Sequence, residues 1–300
     1  MDYLLHIVTL VGIFTALAVS FELLAGQAGL LSLSHAALYG VGAYGTALAL
    51  TRGGLPAFGG LLVGIACAVI AAVPIGVAGL RLRGDRFVLA TLAFQVLATS
   101  VFENWIGLTG GTLGISGVGR GGAGAWHSGV SGFFPLVAGA VAAIAIVLRT
   151  VLSTGPFGRV LHCLRDDEAI ALSLGKSVQR VKFQVLAVSG GVAGAAGGVF
   201  ALYTTYVDPY SFTLNESIAV ATMAIVGGLR TTWGPVLGAT ALIFLPELLR
   251  FSGLPQSIAA PMNQVFFGAA LVWVVVARPQ GLLGPAGGSF AGDRAGSRSA

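Results

Sequence analysis

Apolar runs close to the length of a membrane crossing alternate along this chain with short polar or glycine-rich breaks. A helix needs about 20 apolar residues to cross the hydrocarbon core. On that ruler the sequence predicts spans at roughly 3–24, 30–50, 58–80, 87–108, 133–153, 183–204, 214–229, 234–250 and 262–277. The seventh to ninth are short, which leaves broken or re-entrant helices open there. The breaks carry turn chemistry: Gly26-Gln27-Ala28-Gly29, Arg52-Gly53-Gly54-Leu55-Pro56, Asp208-Pro209 and Trp233-Gly234-Pro235. The expected fold class is all-α, a polytopic transmembrane helix bundle of about 8–10 spans.

One stretch departs from the pattern. Gly155–Lys182 holds eight charges (Arg159, Arg165, Asp166, Asp167, Glu168, Lys176, Arg180 and Lys182), in a chain with 16 Lys and Arg and 11 Asp and Glu. A charge at the bilayer centre costs about 2.5–3.5 kcal/mol even on mild scales, so this insert belongs in water and presents a surface. Asp166 reads as an N-cap, with Asp167 and Glu168 at the positive end of a helix dipole. Ile170, Ala171 and Leu174 read as one face of a two-turn helix, and Gly175 as the residue that ends it. So short a helix is not stable alone and needs something to pack on. Three consecutive acids, Asp166 to Glu168, fit a protein partner better than anionic headgroups.

Composition agrees with a membrane protein. Hydrophobic residues make up 56% and charged residues 9%, where a soluble domain carries about 25% charged. The 46 glycines suit close helix approach in lipid. The excess of basic residues raises nucleic acid as a partner, but their positions answer otherwise. With nine crossings and the insert in the cytoplasm, only Arg52, Arg120 and Arg250 of the 16 basic residues fall outside. Cytoplasmic loops carry excess Lys and Arg, so the expected orientation is N-terminus outside and C-terminus inside, with lipid rather than nucleic acid as surroundings. The N-terminus lacks a basic region and carries Asp2, which argues for a retained first span rather than a cleaved signal. Residues 1–284 read as one transmembrane domain with a polar cytoplasmic loop at about 155–182, and 285–300 as a disordered cytoplasmic tail. Cys67 and Cys163 fall at different depths, and neither has a metal-site neighbour in sequence.

Two nucleotide-like signals fail. Gly175-Lys176-Ser177 resembles the end of a P-loop, but Ile170 stands where the motif needs glycine. Gly117, Gly119 and Gly122 match a dinucleotide spacing inside a glycine-saturated loop with no preceding strand, which chance explains. Neither a cofactor nor a metal is expected in this chain. Gln27, Ser32, Ser34 and His35 cluster around the start of the second span, and Gln95 and Thr99 share a face of the fourth. They read either as the lining of a pathway or as packed helices whose polar groups bond to neighbours. Glu22, Glu103 and Glu216 read as interfacial, near span ends.

The segment DDEAIALSLGKSVQRVKFQVLAVSGGVAGAAGGVFA resembles the cytoplasmic loop and following helix of LivM-type branched-chain amino acid ABC transporter permeases. GQAGLLSLSHAALYGVGAY, LRLRGDRFVLATLAF, ENWIGLTGGTLGISGV, YVDPYSF, IVGGLRTTWGPVLGATALIFLPELLR and RPQGLLG agree in the family's order, so the resemblance covers most of the chain. It implies an importer permease that moves branched-chain amino acids and is not itself an enzyme. It implies two cytoplasmic ATPase subunits that bind the ATP, a second, LivH-like permease, and an extracytoplasmic substrate-binding protein. By the same resemblance Asp167, Glu168, Ala169 and Gly175 are the ATPase-coupling residues. Gly175 stands seven residues after Glu168, one more than in the general coupling motif, and the later Leu-Pro is absent. Urea or short-chain amides are the alternative cargo within the family. A stand-alone transporter or channel is the alternative outside it.

Overall fold

The computed structural model describes residues 2–82, 84–119, 133–173, 175, 177–251, 265, 268–269, 272 and 281–283. The chain opens with α1 (Asp2–Glu22), which continues as a π-helical turn, Leu23–Gln27. Then come α2 (His35–Thr51), α3 (Ala57–Arg81), α4 (Asp85–Asn104) and the single turn α5 (Ile106–Thr109). A 3₁₀ turn (Gly111–Leu113) leads into β1 (Ile115–Ser116). Next are α6 (Phe133–Ser153), the insert helices α7 (Gly155–Asp166) and α8 (Glu168–Ser173), and the long α9 (Val178–Thr204). The described order ends with β2 (Tyr206–Val207), a 3₁₀ turn (Pro209–Phe212), α10 (Leu214–Gly227) and α11 (Gly234–Phe251). The fold is all-α with a membrane-spanning bundle. Helices occupy eight of the nine predicted spans, and most of 262–277 lies outside the described residues, as do 120–132 and the predicted tail at 285–300.

Five of the helical segments are long and apolar enough to cross a membrane: Tyr3–Gln27, Ala57–Arg81, Asp85–Asn104, Phe133–Ser153 and Val178–Thr204. Of these α9 is the most buried, and it forms the axis on which α2 and α3 pack. The contact depends on missing side chains. A Cβ on Gly42 of α2 would land on the backbone of Gly194 in α9, so the two helices meet main chain to main chain. Close approach of this kind drives helix association in lipid, where burial of apolar area supplies no difference between states. On the other side α1 packs on α6, α9, α10 and α11. The outward faces of α3, α4 and α6 remain apolar and exposed, as expected of surfaces that meet lipid or another membrane subunit.

Three features differ from the sequence reading. The second span is broken, because its helix starts at His35 and residues 28–34 form a non-helical strap after the positive-φ turn at Gly29. The insert contains two helices rather than one. Asp166 ends α7 and caps nothing, since Pro156 at the start and a shared apolar face of Leu161 and Leu164 make 155–166 a helix in its own right. Ala171 is fully buried while Ile170 is exposed, so the two do not share a face. Gly175 does take the left-handed conformation expected of it, with φ +68°.

The bundle has two distinct ends. At one, β1 and β2 form a two-stranded antiparallel ribbon, Ile115 opposite Val207 and Ser116 opposite Tyr206, that fastens the loop after α4 to the end of α9. At the other, α7 and α8 pack beneath the π turn of α1 and the start of α9.

Candidate functional site

The head of α2 lies inside the bundle. A helix N-terminus leaves four N–H groups without intrahelical partners, and in lipid these require side chains. Here they come from two other helices. Gln95 of α4 accepts from Ala37 N at 2.8 Å, and Ser217 of α10 accepts from Ala36 N at 2.9 Å. Ser217 Oγ also donates to Gln95 Oε1 at 3.2 Å, while Gln95 Nε2 donates to Phe212 O at 2.8 Å. The strap is held by Leu33 N donating to Thr91 Oγ1 at 3.0 Å and by a 2.8 Å contact between the Ser32 and Ser34 hydroxyls. His35 Nε2 meets Ser189 Oγ at 3.1 Å, and Ser189 Oγ donates to Ser20 O at 2.9 Å. Buried groups left without such partners would cost about 1–3 kcal/mol each, so the network clamps α2 to α1, α4, α9 and α10.

A second buried cluster lies at the insert end. Glu22 and Arg149 form a two-pronged ion pair, Nε to Oε2 at 2.9 Å and Nη2 to Oε1 at 3.0 Å, with side-chain exposures of 0% and 7%. Glu22 Oε1 also accepts from Gln27 Nε2 at 2.6 Å and from Arg230 N at 3.0 Å. Arg149 Nη1 donates to Thr232 Oγ1 at 2.7 Å. One carboxylate thus joins the end of α1, the end of α6 and the turn between α10 and α11. The π turn brings Gln27 back onto Glu22 five residues earlier. Arg165 of α7 reaches the same turn and donates to Gly26 O at 3.0 Å. Burial, and then the neighbouring Arg230 charge, hold the Arg165 guanidinium below its usual pKa.

The insert helices present an outward surface. Lys182 of α9, itself 3% exposed, pairs with Glu168 Oε1 at 3.0 Å and donates to Gly79 O at 3.3 Å. This fixes α8 against α3 and α9. Ala171 faces inward, whereas Ile170 and Leu172 stand 54% and 49% exposed on a polar insert. A 400 Å³ groove between the end of α3 and the start of α9 is lined by Leu80, Gln179, Arg180, Phe183 and Gln184.

The geometry gives an all-helical membrane bundle with a clamped second helix and a helical insert, and comparison with known proteins specifies what kind of protein this is. The family described as branched-chain amino acid transport system / permease component matches residues 3–275. The chain belongs to that family. It is 30% identical over 301 residues to the high-affinity branched-chain amino acid transport system permease protein LivM of Escherichia coli, covering 92% of this chain and 69% of that protein. It is 23% identical to the probable branched-chain amino acid transport permease protein LivM of Methanocaldococcus jannaschii, over 47% of this chain and 43% of that one. It is 28% identical to the autoinducer 2 import system permease protein LsrC of Salmonella typhi, over 48% of this chain and 40% of that one. No solved structure matches the chain.

Within this permease the polar residues singled out in the sequence separate into two sites. Ser32, Ser34, His35 and Gln95 converge on the head of α2, and Thr99 joins them through a 3.4 Å contact from Gln95 Nε2. Gln27 belongs instead to the Glu22 cluster at the insert end. Asp167 links α7 to α8, Glu168 pairs with Lys182, Ala169 lies within α8 and Gly175 forms the turn after α8. Glu22 is fully buried in an ion pair, not interfacial, because Arg149, Gln27 and the Arg230 amide converge on it. The sequence reading also missed Ser189, Ser217 and Thr91. Each is a lone hydroxyl in an apolar run, and only its position opposite α2 distinguishes it. Among the described residues no group of three or more His, Cys, Asp or Glu could hold a metal ion.

Proposed function

We propose that this chain is a transmembrane subunit of an ABC importer that moves leucine, isoleucine and valine into the cell. In this reading it pairs with a second permease subunit and receives cargo from an extracytoplasmic binding protein. Two cytoplasmic ATPase subunits supply the driving force and bind the ATP, and this chain carries no cofactor of its own. The insert end faces the cytoplasm and the ribbon end faces outward, as the distribution of basic residues favours.

The observation that carries the reading is the apolar pair Ile170 and Leu172, exposed on a water-facing insert that is anchored to the bundle. An exposed apolar knob held rigidly by Lys182–Glu168 suits a groove in a partner protein and suits water poorly. Its attachments also suit force transmission. Movement of α7 and α8 would reach the π turn through Arg165, and the α6 and α10–α11 ends through Glu22. Coupled rigid-body movement of such elements is how bundles alternate access.

The test is uptake by the assembled transporter in proteoliposomes. Ile170→Lys with Leu172→Lys places two charges where the ATPase would dock, and uptake of labelled leucine should fall at least about tenfold while membrane insertion is unchanged. Undiminished uptake would refute the docking assignment. Competition by excess urea or acetamide, without competition by isoleucine or valine, would replace the cargo with the amide alternative.

A further inference from the structure

Among the described residues six buried side-chain polar atoms have no hydrogen-bond partner (Thr15 Oγ1, Gln27 Oε1, His35 Nδ1, Thr46 Oγ1 and the Tyr39 and Tyr44 hydroxyls), and the two tyrosine rings share Phe212 as a neighbour. Tyr39 and Tyr44 are 1% and 3% exposed, and neither Oη has a hydrogen-bond partner. Thr46 Oγ1, on the same helix, faces elsewhere, against Gly64 of α3 and Gly198 of α9. Both tyrosines lie on α2, on the ribbon side of its clamped head. Unpartnered hydroxyls in a dry interior cost about 1–3 kcal/mol each, and phenylalanine at either tyrosine would avoid the cost.

The surroundings give them a use. Tyr44 stacks on Phe102 at 4.7 Å between ring centroids, and Tyr39 meets Phe212 edge-on at 5.1 Å. Phe102 and Phe212 are themselves 6.2 Å apart, so two phenyl rings and two phenols converge at one depth. Gly40 makes the convergence possible: a Cβ there would lie 2.7 Å from the Phe102 ring and 2.8 Å from that of Phe212. Phe212 rides on the 3₁₀ turn between β2 and α10, and its carbonyl is held by Gln95, the residue that also clamps Ala37. The ring that closes the cluster and the head of α2 therefore share one clasp.

We propose that Tyr39, Tyr44, Phe102 and Phe212 form the station where this permease handles its cargo: the phenyl rings take an apolar side chain and the two hydroxyls bond the polar head of an α-amino acid. The rings fill the space in the closed bundle, and release of Gln95 from Phe212 O opens it. The hydroxyls are unsatisfied in the closed form because their partner is the passing molecule. The proposal rests on reading the chain as an amino acid permease.

The experiment uses the assembled transporter in proteoliposomes with saturating, cargo-loaded binding protein. Tyr39→Phe with Tyr44→Phe removes two oxygens and no ring. Leucine uptake should fall at least about tenfold, as expected when hydrogen bonds to a charged ligand are lost, while the thermal midpoint of the purified protein is not lowered. Uptake within twofold of the unsubstituted protein would overturn the proposal, because hydroxyls that only fill the core could be lost without effect on transport. A second arm does not depend on the cargo's identity. Tyr44→Cys, in a background with Cys67→Ala and Cys163→Ala, should react with a small charged thiol reagent only while ATP is being turned over. No reaction in any state would also overturn it. If the unsubstituted transporter moves no branched-chain amino acid but Tyr44→Cys still reacts during turnover, the cargo assignment falls and the station stands.

Discussion

Replacing Arg149 by methionine tests what the buried ion pair contributes. Methionine keeps much of the aliphatic volume and removes the guanidinium. Glu22, at 0% exposure, would then keep only its bonds from Gln27 Nε2 and Arg230 N, and Thr232 would lose its partner. Two charge-assisted bonds disappear, at about 1.5–3 kcal/mol each. That agrees with the roughly 3–5 kcal/mol lost when one member of a buried pair is removed. The companion variant adds Glu22→Gln, which keeps an acceptor for the Arg230 amide and removes the uncompensated charge. Its loss relative to the unsubstituted protein should be about 1–2 kcal/mol, so the second substitution should recover at least about 1 kcal/mol of the first. The assay is reversible unfolding of the purified chain in mixed micelles, titrated with sodium dodecyl sulfate and followed by far-UV circular dichroism. A loss under about 1 kcal/mol for Arg149→Met, or a double variant no more stable than the single, would refute the account of this node.

Two further predictions follow from packing, beside those for Ile170 and Leu172 and for the two tyrosines. Gly42→Val would drive a side chain into the Gly194 backbone, which cannot yield as a side chain would, so a loss of about 3 kcal/mol or more is expected in the same titration. A variant as stable as the parent would mean that α2 and α9 are not in direct backbone contact. Lys182→Met leaves Glu168 without its 3.0 Å partner, and amide exchange in α8 should speed up about tenfold while α9 stays protected. Unchanged exchange in Glu168–Ser173 would show that the pair does not anchor the insert.

Much of the architecture could be read from the chain, and the residues show where that reading ends. Helices fill eight of the nine predicted spans because an apolar run near 20 residues is a local property. Gly175 took its left-handed turn for an equally local reason. Residues 30–34 of the strap were read as the start of the second span because Leu30 and Leu31 are apolar, while a bond that holds the strap comes from Thr91 on α4. Ser32, Ser34, His35 and Gln95 were picked as polar residues inside spans, and the structure joins them at the head of α2. Gln27 was grouped with them by its position in the chain, but the π turn sends its side chain to Glu22.

The sequence by itself determined that this is a multi-pass helical membrane protein, and its motifs identified the family. Those conclusions follow from transfer of each residue between water and hydrocarbon, which adds up along the chain without reference to distant partners. Tertiary structure alone decided that Glu22 and Arg149 pair across 127 residues and that Ser217 caps α2 from 181 residues away. It alone gathered Tyr39, Tyr44, Phe102 and Phe212 around a missing Cβ at Gly40. Each of these polar or aromatic residues has several possible neighbours until the helices pack, and in a bilayer the bundle's own side chains are the partners that remain.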